Sequence, residues 1–236
     1  MAIAGLYECF NHWHQDGTLF IYSDPHFGDK ELAACQPNRP SDEEQIRLIN
    51  SKVGRRDTII FLGDIGDIEC VRKIRGYKVL IMGNHDAGRS NYQRIQHYFR
   101  FYDMENNSRE DVEKFIKEKF PNCRFETSRD ACSWKALVDN KLFDEVYEGP
   151  LMISEKLILS HEPVNVPWAF NIHGHMHESK HNDKMHFNVC SDVIGFTPIN
   201  FNQWMKRGYL SNVETIHRST INIATKRKIK REGKNK

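Results

Sequence analysis

The sequence of 236 residues predicts an α/β fold, and three observations carry the prediction. Short apolar runs rich in Ile, Val, Leu and Phe alternate with segments of helical periodicity. Each run stops at a Gly or Pro. The polar residues clustered at those stops are Asp, Asn and His, not the Ser and Gly of ordinary turns. Strand–helix alternation implies a parallel, doubly wound sheet, and such a sheet holds its ligand beyond the carboxyl ends of its strands.

Taken in order, Thr18 to Tyr22 is a buried strand that follows a turn at Asp16-Gly17 and ends in Ser23-Asp24-Pro25-His26-Phe27-Gly28. Residues 29 to 40 read as loop. Ser41-Asp42-Glu43-Glu44 predicts a capping box, with Ser41 as N-cap and Glu44 reaching back. The helix that follows turns Ile46, Ile49 and Val53 inward and closes at Gly54. Thr58 to Leu62 is the second strand and runs into Gly63-Asp64-Ile65-Gly66-Asp67. Ile68 to Ile74 forms a short helix. Lys78 to Met82 is the third strand and runs into Gly83-Asn84-His85-Asp86.

Residues 87 to 142 are less regular, and about 100 to 142 read as an insertion. Within them Ser108 opens a helix to Lys119 whose apolar face is Val112, Phe115 and Ile116, with Pro121 as its stop. Phe143 to Glu148, Leu151 to Ser154 and Lys156 to Ser160 read as a meander of strands turning at Gly149-Pro150 and Glu155-Lys156. The last of these ends at His161-Glu162-Pro163. Ala169 to Ile172 runs into His173-Gly174-His175-Met176-His177, Met185 to Val189 is a further strand, and Asn200 to Lys206 is a short helix closed by Gly208.

Composition narrows the class. A hydrophobic fraction of 39% and an aromatic fraction of 11% are those of a soluble globular protein. The length suits one domain over residues 1–225 with the insertion inside it. No apolar run approaches the ~20 residues of a membrane span. The start of the chain lacks a basic segment and carries Glu8, which argues against a secretory signal. Six scattered cysteines without a C-x-x-C pair read as reduced thiols of a cytoplasmic protein. The net charge of +2 conceals an asymmetry: residues 226–236 hold seven Lys/Arg and one Glu, so the remaining body is −4. That end reads as a flexible basic tail; attraction to nucleic acid is the sharper alternative.

Five strand-like runs therefore end in Asp24/His26, Asp64, Asn84/His85, His161 and His175/His177. Three histidines within residues 173–177 are costly as core material, because each buried imidazole needs a partner, but they suit a metal. Oxygen and nitrogen donors without thiolate suit Mn²⁺, Fe or Zn²⁺ at a catalytic site. Two carboxylates and four neutral histidines around two divalent ions leave a charge of roughly +2 for hydroxide and phosphate to neutralise.

The order Asp24-Pro25-His26, Gly63-Asp64-Ile65-Gly66-Asp67, Gly83-Asn84-His85-Asp86, Ser160-His161-Glu162, Gly174-His175-Met176-His177 resembles the calcineurin-like metallophosphoesterase superfamily, its small bacterial and phage-type members above all. The resemblance spans about residues 18 to 190 and is complete at every ligand position. It implies a four-layer α/β/β/α sandwich with mixed central sheets and a di-metal site at the strand ends. It implies that Asp24, His26 and His177 hold one ion, that Asn84, His161 and His175 hold the other, and that Asp64 bridges them. Manganese is the first choice of metal, with Fe, Zn or Ni as alternatives. Ions about 3.5–4 Å apart share a hydroxide that attacks phosphorus in line with the leaving group. His85 is placed over the phosphate as stabiliser or general acid, oriented by Asp86.

Other polar and aromatic residues have competing readings. Asp67 is a supporting carboxylate or a helix N-terminal one. Arg39 and Arg89 are phosphate-contact candidates against a reading as solvated loop arginines. His173 is a strand-end histidine, His12 and His14 are surface or hairpin residues, and a place at the pocket rim is an alternative for His181 and His186 that the sequence does not favour. Trp168 and Phe170 are core packing, with stacking on a substrate base as the alternative. The expected function is hydrolysis of a small-molecule phosphate ester, a phosphodiester in first place because an acidic body suits a singly charged substrate. Phosphomonoesterase is the alternative, followed by a nuclease that uses nucleic acid as partner and by a non-catalytic scaffold. No membrane partner is implied, and nothing in the sequence specifies an oligomeric state.

Overall fold

A computed structural model describes residues 5–86, 96–102, 108–120, 123–139, 141–178 and 183–232. Its fold is mixed α/β with three sheets. The first has the order β12-β1-β2-β3-β7, formed by β1 (Leu19–Tyr22), β2 (Thr58–Phe61), β3 (Tyr77–Ile81), β7 (Glu145–Tyr147) and β12 (Ile199–Asn200). β1, β2, β3 and β7 run parallel, and β12 is antiparallel to β1. The second has the order β11-β10-β9-β8, formed by β8 (Leu151–Ser154), β9 (Leu157–Leu159), β10 (Phe170–His173) and β11 (His186–Asn188).

Both faces of the first sheet are buried, which is why its strands read as continuous apolar runs and not as an alternation. Leu19, Ile21, Ile60, Leu62, Val79 and Ile81 face the second sheet's Ile153, Leu157, Leu159, Phe170 and Ile172 in one core. The opposite face, with Phe20, Tyr22, Ile59, Phe61 and Leu80, packs on α2 (Asp42–Lys52) and α3 (Ile68–Arg72) through Ile46, Ile49, Cys70 and Val71. Each such aliphatic side chain contributes roughly 1.5–3 kcal/mol when fully buried. On the far face of the second sheet the chain itself supplies the cover: the Val164 N–H donates to Asn171 Oδ1, and Asn188 Nδ2 donates to the Met176 carbonyl.

Several expectations need correction. Residues 29–40 contain a short helix, α1 (Lys30–Cys35), capped by Asp29, whose carboxylate accepts from the Leu32 N–H at 2.8 Å. None of its residues is buried, so no apolar periodicity announces it. The box at Ser41 is half formed: Ser41 Oγ accepts from the Glu44 N–H, but the Glu44 carboxylate turns to Arg47 at 2.5 and 2.7 Å. The expected meander is split. β7 joins the first sheet beside β3, and only β8 and β9 form an antiparallel hairpin, in the second. His14 is buried within a 3₁₀ turn, Glu8–His14, not exposed.

The irregular region after residue 95 is an antiparallel sheet, β4-β6-β5, of β4 (Gln96–Tyr102), β5 (Arg124–Arg129) and β6 (Ser133–Asp139), covered by α4 (Arg109–Lys119). Val112 and Ile116 of α4 pack on Ala136 and Val138, with Phe99, Phe101 and Phe125 around them. The stop expected at Pro121 lies outside the described residues. Towards the end of the chain follow α5 (Phe201–Lys206) and α6 (Ile216–Glu232). Residues 226–232, read from sequence as part of a flexible tail, lie within α6. Among the described residues no helix is long and apolar enough to cross a membrane. All six cysteines are free thiols.

Candidate metal centre

The carboxyl ends of β1, β2, β3, β9 and β10 open onto one place. The loops there are stitched together through their backbones: the Asp24 N–H donates to the Gly63 carbonyl, His26 to Asp64, Phe27 to Ile65, and Gly174 to His161. Asp24, His26, Asp64 and His175 all stand at positive φ, between 44° and 64°. Non-glycine residues there carry strain that the surrounding bonds must hold, and such residues concentrate at functional sites. Gly174 is required by close approach, because a Cβ would collide with Ser23 Oγ and Asp24 Oδ2.

Two groups of donors result. Asp24, His26 and His177 form one, and Asp64, His161 and His175 the other; within each group the donor atoms lie within 4.8 Å of one another. Asp64 Oδ2 faces both, 3.5 Å from His26 Nε2 and 3.4 Å from His161 Nε2. Asn84 Oδ1 lies 2.8 Å from His161 Nε2, and His175 Nδ1 is 3.1 Å from that same nitrogen. In the first group His177 Nε2 is 3.2 Å from His26 Nε2 and 3.8 Å from Asp24 Oδ1.

The donor set fits divalent cations on the protein's own chemistry. His161 Nδ1 is 2.7 Å from the Leu62 carbonyl, which only accepts, so Nδ1 carries the hydrogen and Nε2 presents its other valence to Asn84 Oδ1 and Asp64. His177 Nδ1 likewise faces Asp192 Oδ2 at 3.1 Å, which turns its Nε2 onto His26 Nε2. Lone pairs aimed at one another need a proton or a cation between them. Asp24 makes the same point. One oxygen, Oδ2, accepts from the His175 N–H at 2.9 Å, while Oδ1 is fully buried with no hydrogen-bond partner. A buried carboxylate oxygen left so costs several kcal/mol unless a cation meets it.

Titration follows these contacts. Burial works to lower the His161 pKa, yet the hydrogen bond to Asp64 and the charges of Asp24 and Asp64 push it up to about 9. The Asp192 bond raises His177 against burial. Burial lowers His26, opposed by Asp64 and Asp24. Burial acts to raise Asp64, but bonds from His161 and the His85 backbone leave it below the usual carboxylate range.

His85 is the exposed member of the cluster. Its side chain is 65% exposed, its backbone N–H donates to Asp64 Oδ1 at 3.0 Å, and its ring centroid is 5.5 Å from that of His26. Asp86 is fully buried, and its carboxylate accepts from the backbone N–H groups of Asp64, Ile65 and Gly83 at 2.7, 3.1 and 2.9 Å. It thus ties the loop after β3 to the loop after β2. Asp67 is the N-cap of α3 and accepts from the Glu69 N–H. Arg39 donates to the Asp24 and Pro25 carbonyls, so its guanidinium braces the first metal loop. Arg89 and His181 lie outside the described residues. His173 and His186 are buried on the far face of the second sheet, with Nδ1 bonded to the Gly174 carbonyl and to Asp183, respectively. Phe170 is in the core, and Trp168 is 36% exposed.

One contributor escapes the motif reading. Asp192 follows β11 and accepts from His177 Nδ1, the Glu178 N–H and Gln36 Nε2. Burial acts to raise its pKa, but the His177 bond leads the interactions that hold it well below the usual range. Its signal was the rule already in use: a carboxylate just beyond a predicted strand, Met185 to Val189. The neighbouring Cys190 completes a further group with His177 and Asp192; burial, with Asp24 and Asp192 beside it, pushes its thiol pKa up.

Residues 17–194 match the family model of calcineurin-like phosphoesterases, and the chain belongs to that family. It is therefore a metal-dependent phosphoester hydrolase in its general class. The fold is also similar to the crystal structure of a protein of unknown function from Aquifex aeolicus, with a TM-score of 0.50 and 18% identity, over 80% of this chain and 98% of that one. Comparison with curated proteins gave no match.

Proposed function

We propose that this chain is a phosphodiesterase working through two divalent ions. Asp24, His26 and His177 would hold one ion, Asn84, His161 and His175 the other, and Asp64 both. The single observation that carries this reading is Asp64 Oδ2, within 3.5 Å of a histidine nitrogen from each group. When bound, the ions would lower the pKa of water and offset charge on the phosphoryl oxygens. Their identity is proposed as manganese, on oxygen and imidazole donors alone. His85, exposed beside this pair, would meet the phosphoryl group or protonate the leaving oxygen. Asp192 would fix the His177 ring so that Nε2 faces the ion.

The preference for a diester rests on Arg39. A doubly charged monoester calls for an additional cation at the phosphate, and among the described residues Arg39, beside the first metal loop, is committed to backbone carbonyls. The free thiols support a reducing compartment, the cytoplasm. The four-layer reading is supported on the side of the first sheet, where α2 and α3 pack. The domain would run over residues 1–225, with β4 to β6 and α4 as its insertion. Initial rates on bis-p-nitrophenyl phosphate and p-nitrophenyl phosphate with added Mn²⁺ test the preference. Faster diester turnover is expected; faster monoester turnover makes the protein a phosphomonoesterase.

A further inference from the structure

The first sheet has a second end. Where β2 and β3 begin, a cavity of about 940 Å³ opens between the body and the insertion. Thr58, Tyr77 and Lys78 line it, so about 20 Å of strand separates it from Asp64 and Asn84.

Its charge is the unusual property. Six cations border it, Arg55, Arg56, Arg72, Lys78, Arg124 and Lys141, of which Arg72 is already paired with Glu69 at 2.9 Å. Four aspartates line it too, but the two beside the strand starts are occupied. Asp57 accepts from the Thr18 and Gly54 N–H groups, and Asp144 accepts from the Lys78 N–H and pairs with Lys141 at 2.7 Å. Among the described residues Arg55, Arg56 and Arg124 form no ion pair. Lys78 is half-buried, and among the described residues its ammonium bonds to the Ile74 and Gly76 carbonyls alone, at 3.3 and 3.4 Å. Burial holds its pKa below the usual lysine range; Asp144 opposes this, and Arg124, Lys141 and Arg72 add to it. An anion placed among these groups would relieve their mutual repulsion and complete the lysine's bonding. On one wall stands Tyr77, its side chain held by a 2.8 Å bond to Glu145 and 37% of the residue exposed. The volume is at the upper end for small-molecule sites and exceeds what a lone phosphate fills.

We propose that this cavity binds a nucleoside phosphate, with the phosphates among Lys78, Arg55 and Arg124 and the base against Tyr77. The site is separate from the metal centre and does not depend on the reading of that centre. Isothermal titration of the metal-loaded protein with α,β-methylene-ADP, checked afterwards for intactness by chromatography, provides the test. Saturable binding of one equivalent is expected. The exposed substitutions Arg55→Ala and Arg124→Ala together, and Lys78→Met separately, should each weaken it about tenfold or more. Hydrolysis of bis-p-nitrophenyl phosphate should be unchanged by them, and Asp64→Asn should leave nucleotide binding intact. Should Lys78→Met melt early, the arginine pair, on the surface, decides alone. The proposal is overturned by an absence of saturation up to millimolar nucleotide. It is overturned equally by binding that survives the arginine substitutions, or by binding lost in Asp64→Asn, which would place the nucleotide at the metals.

Discussion

The loops beyond β1, β2, β3 and β10 and the insertion of β4 to β6 with α4 are held together by different means. In the loops, Asp24, His26, Asp64 and His175 sit at positive φ, and buried carboxylates such as Asp86 spend their oxygens on backbone N–H groups of neighbouring loops. In the insertion, cohesion comes from cross-strand register, His97 to Tyr102 against Val138 to Ser133, and from aromatic rings under α4. One region is shaped around charges that need cations; the other is an ordinary small core. The first is strained at the candidate metal centre, and strain of about 1–3 kcal/mol per such residue is tolerated only because several loops lock one another.

The sharpest way to break this comparison is at Asp64 and its neighbour His85. Asp64→Ala removes an oxygen shared by both donor groups, so metal content by elemental analysis should fall below two ions, and diester turnover should fall roughly a thousandfold. His85→Ala should keep both ions and still lose about 10²- to 10⁴-fold in turnover. An Asp64→Ala protein that retained two ions and full activity would remove the shared-ligand role.

A smaller effect is expected one layer out. Asp192→Asn keeps the shape but no longer offers a charged acceptor to His177 Nδ1, which is 3.1 Å away. Metal affinity should drop about 10- to 100-fold, measured by competition with a chelator, with the fold intact by circular dichroism. Unchanged affinity would show that the His177 ring is oriented by packing alone.

Legibility in the sequence divides along the same line. Strands β1 to β3 and the residues beyond them could be read because burial on both faces writes continuous apolar runs and because Asp, Asn and His at strand ends are conspicuous. Asp86 stands next to His85, which suggests that ring as its partner, whereas the carboxylate accepts from backbone N–H groups of the loop after β2 and of Gly83. Asp192 lies outside the five motifs, and only its place just beyond a predicted strand marks it. The half-formed box at Ser41 shows a limit of pattern reading: Glu44 had a competing partner, Arg47, three residues on. In the insertion, β5 (Arg-Phe-Glu-Thr-Ser-Arg) offers one apolar residue, so its place in the sheet is set by β6 and not by its own pattern. The split of the expected meander was hidden for a related reason: β7 and β8 are close in sequence, and nothing local says which sheet each joins.

The mildest prediction tests whether the insertion is an independent element of stability. Ser108 and Asp111 form a full capping box at the start of α4: Ser108 Oγ accepts from the Asp111 N–H, and the Asp111 carboxylate accepts from the Ser108 N–H at 3.0 Å. Ser108→Ala should cost about 1 kcal/mol of unfolding free energy. Val112 and Ile116 would still pack, so the helix should loosen at its first turn and not dissociate. Because none of the donor groups at the strand ends belongs to this helix, diester turnover and metal content should be unchanged. A fall in turnover or metal content in the folded variant would show that α4 and the metal centre are coupled, and the two regions would then be one mechanical unit.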